Sequence, residues 1–286
     1  MTSPRISALF PDVFAISRPV VSGTRPLIQC AGLLFPNDVQ FVPISNGSEP
    51  RINPKTKVRE YPSLGTYTVL DAILRIEPKN YMDLARTKCQ DIAVWISSVS
   101  YKESLDDLMK ALERNGFGSA MVESVESNTP PSLVTLQDIV LLYRTHALKS
   151  ELRVSDVSSK KYSITSDSSL TDALNLMLEK DVRRIFLSEE TLRFVSARDI
   201  FKFLFSPSRL RVLEKSPESW LDERLSNIPS NNVAKPVPDD NTINQVSKEI
   251  GDGVDECFIC KTSQEVVSRW DIVMKPWQVN SLEVAL

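Results

Sequence analysis

Apolar residues along this chain switch repeatedly between a period of two and a helical period. The switch is clearest in the third quarter. Ser163-Ile164-Thr165 is short and β-prone. Ser169-Leu170-Thr171-Asp172 offers a helix cap, and Ala173, Leu174, Leu176, Met177 and Leu178 then recur at helical spacing. Val182-Arg183-Arg184-Ile185-Phe186-Leu187 and Leu192-Arg193-Phe194-Val195 read as two strands around the turn Ser188-Glu189-Glu190. Ser196 then opens a helix through Ile200, Phe201, Phe203 and Leu204. The order is strand, helix, strand, strand, helix.

The same order recurs elsewhere, so internal repetition organises the chain. In the second quarter Ser104-Leu105-Asp106-Asp107 caps a helix that Asn115-Gly116 ends. Ala120-Met121-Val122 is a strand, and Ser132-Leu133-Val134 leads through Thr135 to Ile139 into the helix Val140 to Tyr143. The last quarter predicts a helix over 242–250, a stop at Gly251-Asp252-Gly253 and a strand over 256–260. Glu265-Val266-Val267 then leads into a helix opened by Ser268. The first quarter predicts a helix over 27–35, a strand over 39–44, a long polar connection over 45–62 and a helix entered at Thr68. The expected units are 1–88, 89–148, 149–215 and 216–286. Units this small bury too little surface to be stable singly, so pairwise packing is expected.

One signature opens the second helix of every unit: Thr68…Asp71, Thr135…Asp138, Ser196…Asp199 and Ser268…Asp271. Ser/Thr-x-x-Asp is a capping box. It also marks a helix end with free N–H groups and partial positive charge, which suits an anion. Capping alone explains any single copy, because Ser104…Asp107 and Ser169…Asp172 have the same spacing on other helices. Four copies at one position of a repeat point further, to a ligand.

Composition narrows the classes. With 34 Lys+Arg against 37 Asp+Glu the formal charge is -3, which argues against nucleic acid as a bulk electrostatic partner. The basic stretches Arg51 to Arg59 and Arg183-Arg184 keep a local patch open. No apolar run approaches a membrane span, Met1 to Arg5 lack the layout of a signal peptide, and four cysteines do not make a disulfide scaffold. A cytoplasmic protein is expected. His146 is the sole histidine and Gly numbers only 8, so neither a histidine-based centre nor a Gly-rich phosphate loop is present. No catalytic triad is credible, and the expectation is that this is not an enzyme. Cys257-Phe258-Ile259-Cys260 lacks a second ligand pair, so core cysteines and no metal are expected. Trp270 lies inside the fourth signature, and Met274-Lys275-Pro276-Trp277 either packs back on the fold or docks a partner.

At these residues the chain resembles the cystathionine-β-synthase (CBS) domain family. Ser169-Leu170-Thr171-Asp172-Ala173-Leu174, Met177, Val182 to Leu187 and Phe194-Val195-Ser196-Ala197-Arg198-Asp199-Ile200 carry the match. Val42-Pro43-Ile44 carries a fainter one in the first unit. The resemblance implies an α/β (α+β) fold of four CBS repeats, each a small sheet with two packed helices, arranged as two pseudo-symmetric pairs. It implies a regulatory sensor that binds adenine nucleotides (AMP, ADP or ATP) in clefts between paired repeats and relays ligand state to a protein partner or a homodimer. S-adenosylmethionine or an NAD-type ligand is the less expected occupant. By the family pattern Asp71, Asp138, Asp199 and Asp271 accept from ribose hydroxyls, while Thr68, Thr135, Ser196 and Ser268 donate to phosphate. Arg198 and Arg269, with Lys180, Arg183 and Arg184 nearby, make the C-terminal pair the expected ligand site, although Arg183 and Arg184 are also suited to covering a sheet face with their stems. Adenine is expected around Val157 and Tyr162. The 45–62 connection would close or remodel the first cleft, Asn115-Gly116 brings no cation to the second, and Asp252 would repel phosphate in the fourth. Two other readings stay open: an adaptor whose clefts have lost their ligands, and a nucleic-acid binder using the basic stretches.

Overall fold

The capping boxes and apolar periods resolve into four copies of one unit in the computed structural model, which describes residues 3–15, 19–34, 41–45, 49–75, 80–116, 118–126, 129–250, 257–279 and 283–284. Helix α1 (Ile6–Leu9) precedes the first unit, made of β1 (Val21–Ser22), α2 (Leu27–Cys30), β2 (Phe41–Ser45), β3 (Arg51–Ile52), β4 (Arg59–Gly65) and α3 (Thr66–Arg75). After α4 (Tyr81–Arg86), the second unit comprises β5 (Val94–Ser100), α5 (Leu105–Asn115), β6 (Ser119–Glu123), β7 (Ser132–Thr135) and α6 (Leu136–Arg144). Strand β8 (Leu148–Lys149) and helix α7 (Val154–Val157) lead to the third: β9 (Ser163–Ile164), α8 (Leu170–Glu179), β10 (Arg184–Leu187), β11 (Glu190–Ser196) and α9 (Ala197–Leu204). Helix α10 (Pro207–Leu213) precedes the fourth: β12 (Lys235–Val237), α11 (Ile243–Glu249), β13 (Phe258–Cys260), β14 (Val266–Val267) and α12 (Arg269–Gln278), with β15 (Glu283–Val284) after it. In every unit the first two core strands are parallel, joined through the first helix, and the next pair is antiparallel. The α/β fold class and its small sheets with two helices are therefore as the sequence leads one to expect.

Helix α5 shows why the sequence folds this way locally. It buries Leu105, Leu108, Met109, Ala111 and Leu112 on one face. Ser104 and Asp107 close a reciprocal capping box at its start, and Gly116 ends it in the left-handed region at φ 66°.

Strands β5 and β12 were hidden from the pattern. In β5 the serines are buried, and Ser97 N–H donates to Asn115 Oδ1 at 2.8 Å while Ser98 Oγ donates to the Arg59 carbonyl at 2.9 Å. Polar residues satisfied inside the fold erase the apolar signature. In β12, Pro236 interrupts a strand-like run. The fourth-unit stop at 251–253, with Asp252, and the first residues expected in β2, Val39 and Gln40, lie outside the described residues.

The expected connection over 45–62 needs correcting. It contains β3 and most of β4, a hairpin whose partner on the other side is β5, paired from Glu60↔Ser97 to Ser63↔Val94. The first two units thus share one seven-stranded sheet. The first signature is also out of phase. Thr135 and Ser196 are the strand residues at the helix cap, and the equivalent residue is Gly65, not Thr68. A Cβ at Gly65 would lie 2.4 Å from Phe41 Cε1, so Ser or Thr has no room there. Thr68 instead donates to the Gly65 carbonyl at 2.8 Å, and Asp71 sits one turn on, paired with Arg75 at 2.9 Å.

The units are interlocked in pairs by an exchange of leading segments. Pro4 to Ile6, ahead of the first unit, bridge the cap of α5 in the second: Leu105 N–H donates to Pro4 O and Ile6 N–H to Glu103 O, both at 2.8 Å. Thr87 to Cys89, ahead of the second unit, bridge the cap of α2 in the first, with both bonds at 2.9 Å. Leu152 to Val154 do the same for α11, and Glu223 to Leu225 for α8. Unit one is therefore laced to two, and three to four. Cuts at 88, 148 and 215 do not separate packing units.

Between the pairs, helices meet. Helix α3 packs on α8 and α9, joining units one and three, while α6 packs on α11 and α12, joining two and four. The two large cores follow this division. Trp277 Nε1 donates to Asp106 Oδ1 at 2.8 Å, so the Met274 to Trp277 segment packs back on the second unit. Among the described residues no helix is long and apolar enough to cross a membrane.

Candidate functional site

A cavity of about 390 Å³ opens where units two, three and four converge. That is within the ~300–1,000 Å³ usual for small-molecule sites. Unit two contributes Thr135, Leu136 and Gln137 from the start of α6, and Glu113, Gly116 and Gly118 around the end of α5. Unit three contributes Asp181 to Arg184 and Phe186. Unit four contributes Val266 and Ser268 to Asp271, and the approach to β9 adds Ser159, Lys160 and Tyr162.

The two helix starts are built by capping. Asp271 Oδ2 accepts from Ser268 N–H at 2.8 Å and from Ser268 Oγ at 2.6 Å. Asp138 Oδ2 accepts from Thr135 N–H at 2.7 Å and Thr135 Oγ1 at 2.8 Å. Thr135 is only 2% exposed, while Ser268 is half-buried over the buried Asp271. Arg183 reaches across from unit three, its Nη2 donating to the Gly116 carbonyl at 2.9 Å. It spans two units rather than covering its own sheet. Lys160 holds its ammonium 5.5 Å from the centroid of the Tyr162 ring. Four cations (Lys160, Arg183, Arg184, Arg269) thus face three acids (Glu113, Asp181, Asp271). Of the acids, Asp271 pairs with Lys275 at 3.3 Å, and Glu113 accepts from Gln278 Nε2 at 2.9 Å. Tyr162, Phe186 and Trp270 give flat apolar walls.

Of the ten residues singled out from the sequence, the cavity gathers Thr135, Ser268, Arg269 and Asp271. Asp138 stays behind the cap it makes. Thr68 and Asp71 are displaced by the phase shift in the first unit. Ser196 and Asp199 form the expected box, with Ser196 Oγ and N–H both 2.8 Å from Asp199 Oδ2, but on a different face of unit three. There the segment 230–232 lies across it: Ser230 Oγ donates to Asp199 Oδ2 at 3.1 Å and Asn232 Nδ2 at 2.6 Å. Arg198 is buried at 6% exposure and does not line the cavity. The third signature, one half of the expected C-terminal site, thus has its carboxylate bonded by the chain itself, and Asp199 and Lys202 line a separate cavity of about 470 Å³. The expected adenine position divides: Tyr162 is in the cavity wall and Val157 in the core. Lys160 and Ser159 were not singled out. Lys160-Lys161 is a visible basic pair just before β9, but only the fold turns Lys160 toward the fourth signature.

The basic stretch Arg51 to Arg59 is partly neutralised, with Arg51 on Glu60 at 3.0 Å and Arg59 on Glu123 at 3.3 Å. Cys257 and Cys260 are buried thiols. Among the described residues no group of His, Cys, Asp or Glu has the makings of a metal site.

A family model matches residues 154–206, the model of the CBS domain. Residues 154–206 thus match a CBS domain. The fold as a whole is similar to that of a solved structure. Protein MJ1225 from Methanocaldococcus jannaschii, proposed as an archaeal homolog of γ-AMPK, superposes with a TM-score of 0.73 at 12% identity, over 96% of this chain and 99% of that one. An uncharacterised conserved protein from Pyrococcus horikoshii gives a TM-score of 0.49 at 13% identity, over 90% of this chain and 94% of its own chain. CBS domain protein PAE2072 from Pyrobaculum aerophilum, solved with AMP, gives 0.31 at 20% identity, over 47% and 88%. Among curated proteins no match was found.

Proposed function

We propose that this protein is a regulatory sensor that binds an adenine nucleotide in the cavity between units two, three and four. The observation that carries the reading is the convergence of the fourth capping signature, Ser268 to Asp271, with Arg183, Arg184 and Lys160 around one aromatic-walled cavity. The cations and the helix start suit phosphate. Tyr162 and Phe186 suit a base. Resemblance of the whole chain to a protein proposed as a homolog of γ-AMPK supports the same class. The cavity is walled by both pairs of units, so a ligand there bridges them. Differential affinity for two packings of the pairs would relay occupancy to a partner protein.

Calorimetry with AMP, ADP, ATP, NAD and S-adenosylmethionine tests the reading. An adenine nucleotide is expected to bind, and Arg183→Ala and Arg269→Ala each to weaken it roughly tenfold, the size of one lost charge-assisted contact. Asp71→Ala is expected to change nothing. Absence of both heat and thermal shift with every ligand would sink the proposal, and the ligand-free adaptor reading, favoured at the third signature by the contacts of Ser230 and Asn232, would extend to the whole protein.

A further inference from the structure

Residues 3–14 precede the first unit in sequence but are seated on the second. Ile6, Leu9 and Val13 are buried in the core that holds Leu105, Leu108 and Leu112. Ile6 N–H donates to Glu103 O at 2.8 Å and Ser7 N–H to Tyr101 O at 3.1 Å. In return Leu105 N–H donates to Pro4 O at 2.8 Å and Asp106 N–H to Ser3 Oγ at 3.1 Å. The Val13 carbonyl accepts from Ser132 Oγ at 2.7 Å. Helix α1 has four residues, too few to hold a helix alone. The segment is thus ordered by its seat, and docked and released are its two states.

The seat and the cavity lie at opposite ends of one body. Helix α5 carries the seat in its first turn, at Leu105 and Asp106, and the cavity wall at its end, at Glu113 and Gly116. At 1.5 Å per residue, Asp106 and Gly116 are roughly 15 Å apart along the axis. Asn115 ties that end to β5, where Ser97 N–H donates to its Oδ1 at 2.8 Å, and β5 leads on to Tyr101 beneath the segment. Helix α12 covers the same route from unit four. It starts at the cavity with Ser268, and near its end Trp277 Nε1 donates to Asp106 Oδ1 at 2.8 Å and Gln278 Nε2 to Glu113 Oε1 at 2.9 Å.

An anion in the cavity loads the end of α5 twice. It competes with the Gly116 carbonyl for Arg183, whose Nη2 donates there at 2.9 Å. It also repels the Glu113 carboxylate, which lines the same cavity. Both loads fall on the helix whose first turn seats residues 3–14.

We infer that an anionic ligand in the cavity loosens residues 3–14 from the second unit, so that the docking of this segment reports whether the cavity is filled. The inference rests on the nucleotide site proposed above. Coupling of this kind is reciprocal: a ligand that favours the released segment binds more tightly when the seat is weakened.

The test is hydrogen exchange on the full chain, with and without saturating AMP, ADP or ATP, read at the amides of Ile6 and Ser7. Exchange there is expected to be at least threefold faster with nucleotide bound. Unchanged or slower exchange, with binding shown by calorimetry, would overturn the inference while leaving the nucleotide site standing. Binding of none of the three would overturn the site, and the inference with it. Leu9→Ala weakens the seat at a distance from the cavity and is expected to tighten nucleotide binding at least twofold, whereas an unchanged or weaker affinity would contradict the coupling. Glu113→Gln keeps an acceptor for Gln278 but removes the charge, and is expected to halve the rise in exchange. An undiminished rise in that variant would overturn the part assigned to Glu113.

Discussion

Replacing Asp271 by Asn should destabilise this protein far more than the same change at Asp71, although the sequence presents both as members of one signature. Asp271 is 4% exposed and receives two donors from Ser268, one from Ser159 and the ion pair with Lys275. Asn keeps the shape but turns one acceptor into a donor, so either Ser268 or the Ser159–Lys275 side faces an N–H₂ group. Each hydrogen bond to a charged group contributes about 1.5–3 kcal/mol, and a buried donor left unmet costs about 1–3 kcal/mol. Lys275 keeps about a third of its side chain in solvent and retains the carbonyls of Val157 and Ser158, which lowers the sum. A net loss of about 2–4 kcal/mol follows. At roughly 2 °C per kcal/mol for a chain of this size, the midpoint falls by about 4–8 °C. Asp71 makes one exposed i,i+4 pair with Arg75, with side chains 32% and 76% exposed. Such pairs contribute about 0.3–0.5 kcal/mol, so Asp71→Asn should move the midpoint by about 1 °C. Thermal denaturation of both variants without ligand is the assay. Equal shifts would refute the claim that Asp271 clasps the fold while Asp71 does not.

Gly65→Ala should cost about 1–3 kcal/mol in urea denaturation, because the new Cβ would sit 2.4 Å from Phe41 Cε1, and Phe41→Leu in the same chain should recover part of it. A neutral Gly65→Ala would contradict the account of why the first signature is missing. The Lys110 ammonium and then the Trp277 indole hold the Asp106 carboxyl below the usual carboxylate range. A depressed folded value stabilises above the unfolded pKa, near 4, and that contribution is lost as pH falls through the folded value. Trp277→Phe removes one cause, so its melting temperature should lie below wild type at neutral pH and the gap should narrow toward pH 3. A gap that widens on acidification would show the wrong sign.

Much of this architecture was legible because each unit repeats the same local chemistry. Ser104, Ser169, Ser196 and Ser268 all cap helices as their spacing to Asp indicates. What the pattern could not carry was anything set by a neighbouring unit. The serines of β5 are buried because Arg59, Asn115 and Glu123 meet them. The phase of the first signature is decided by Phe41, a residue on another strand. The third and fourth signatures part for the same reason. They look alike in one dimension, yet Ser230 and Asn232 donate to Asp199, while Arg183 and Lys160 line the same cavity as Asp271 from a unit apart.

The exchange of leading segments also sets an order of events during synthesis. Pro4 and Ile6 emerge from the ribosome first, but their partners are Leu105 and Glu103. At translation speeds of ~5–20 residues per second, the first strap must wait roughly 5–20 s for its dock. Residues 152–154 likewise precede 241–243, which they bridge. Each odd-numbered unit is thus born with a segment that cannot yet fold, and the nascent chain needs its successor before either half of a pair is complete.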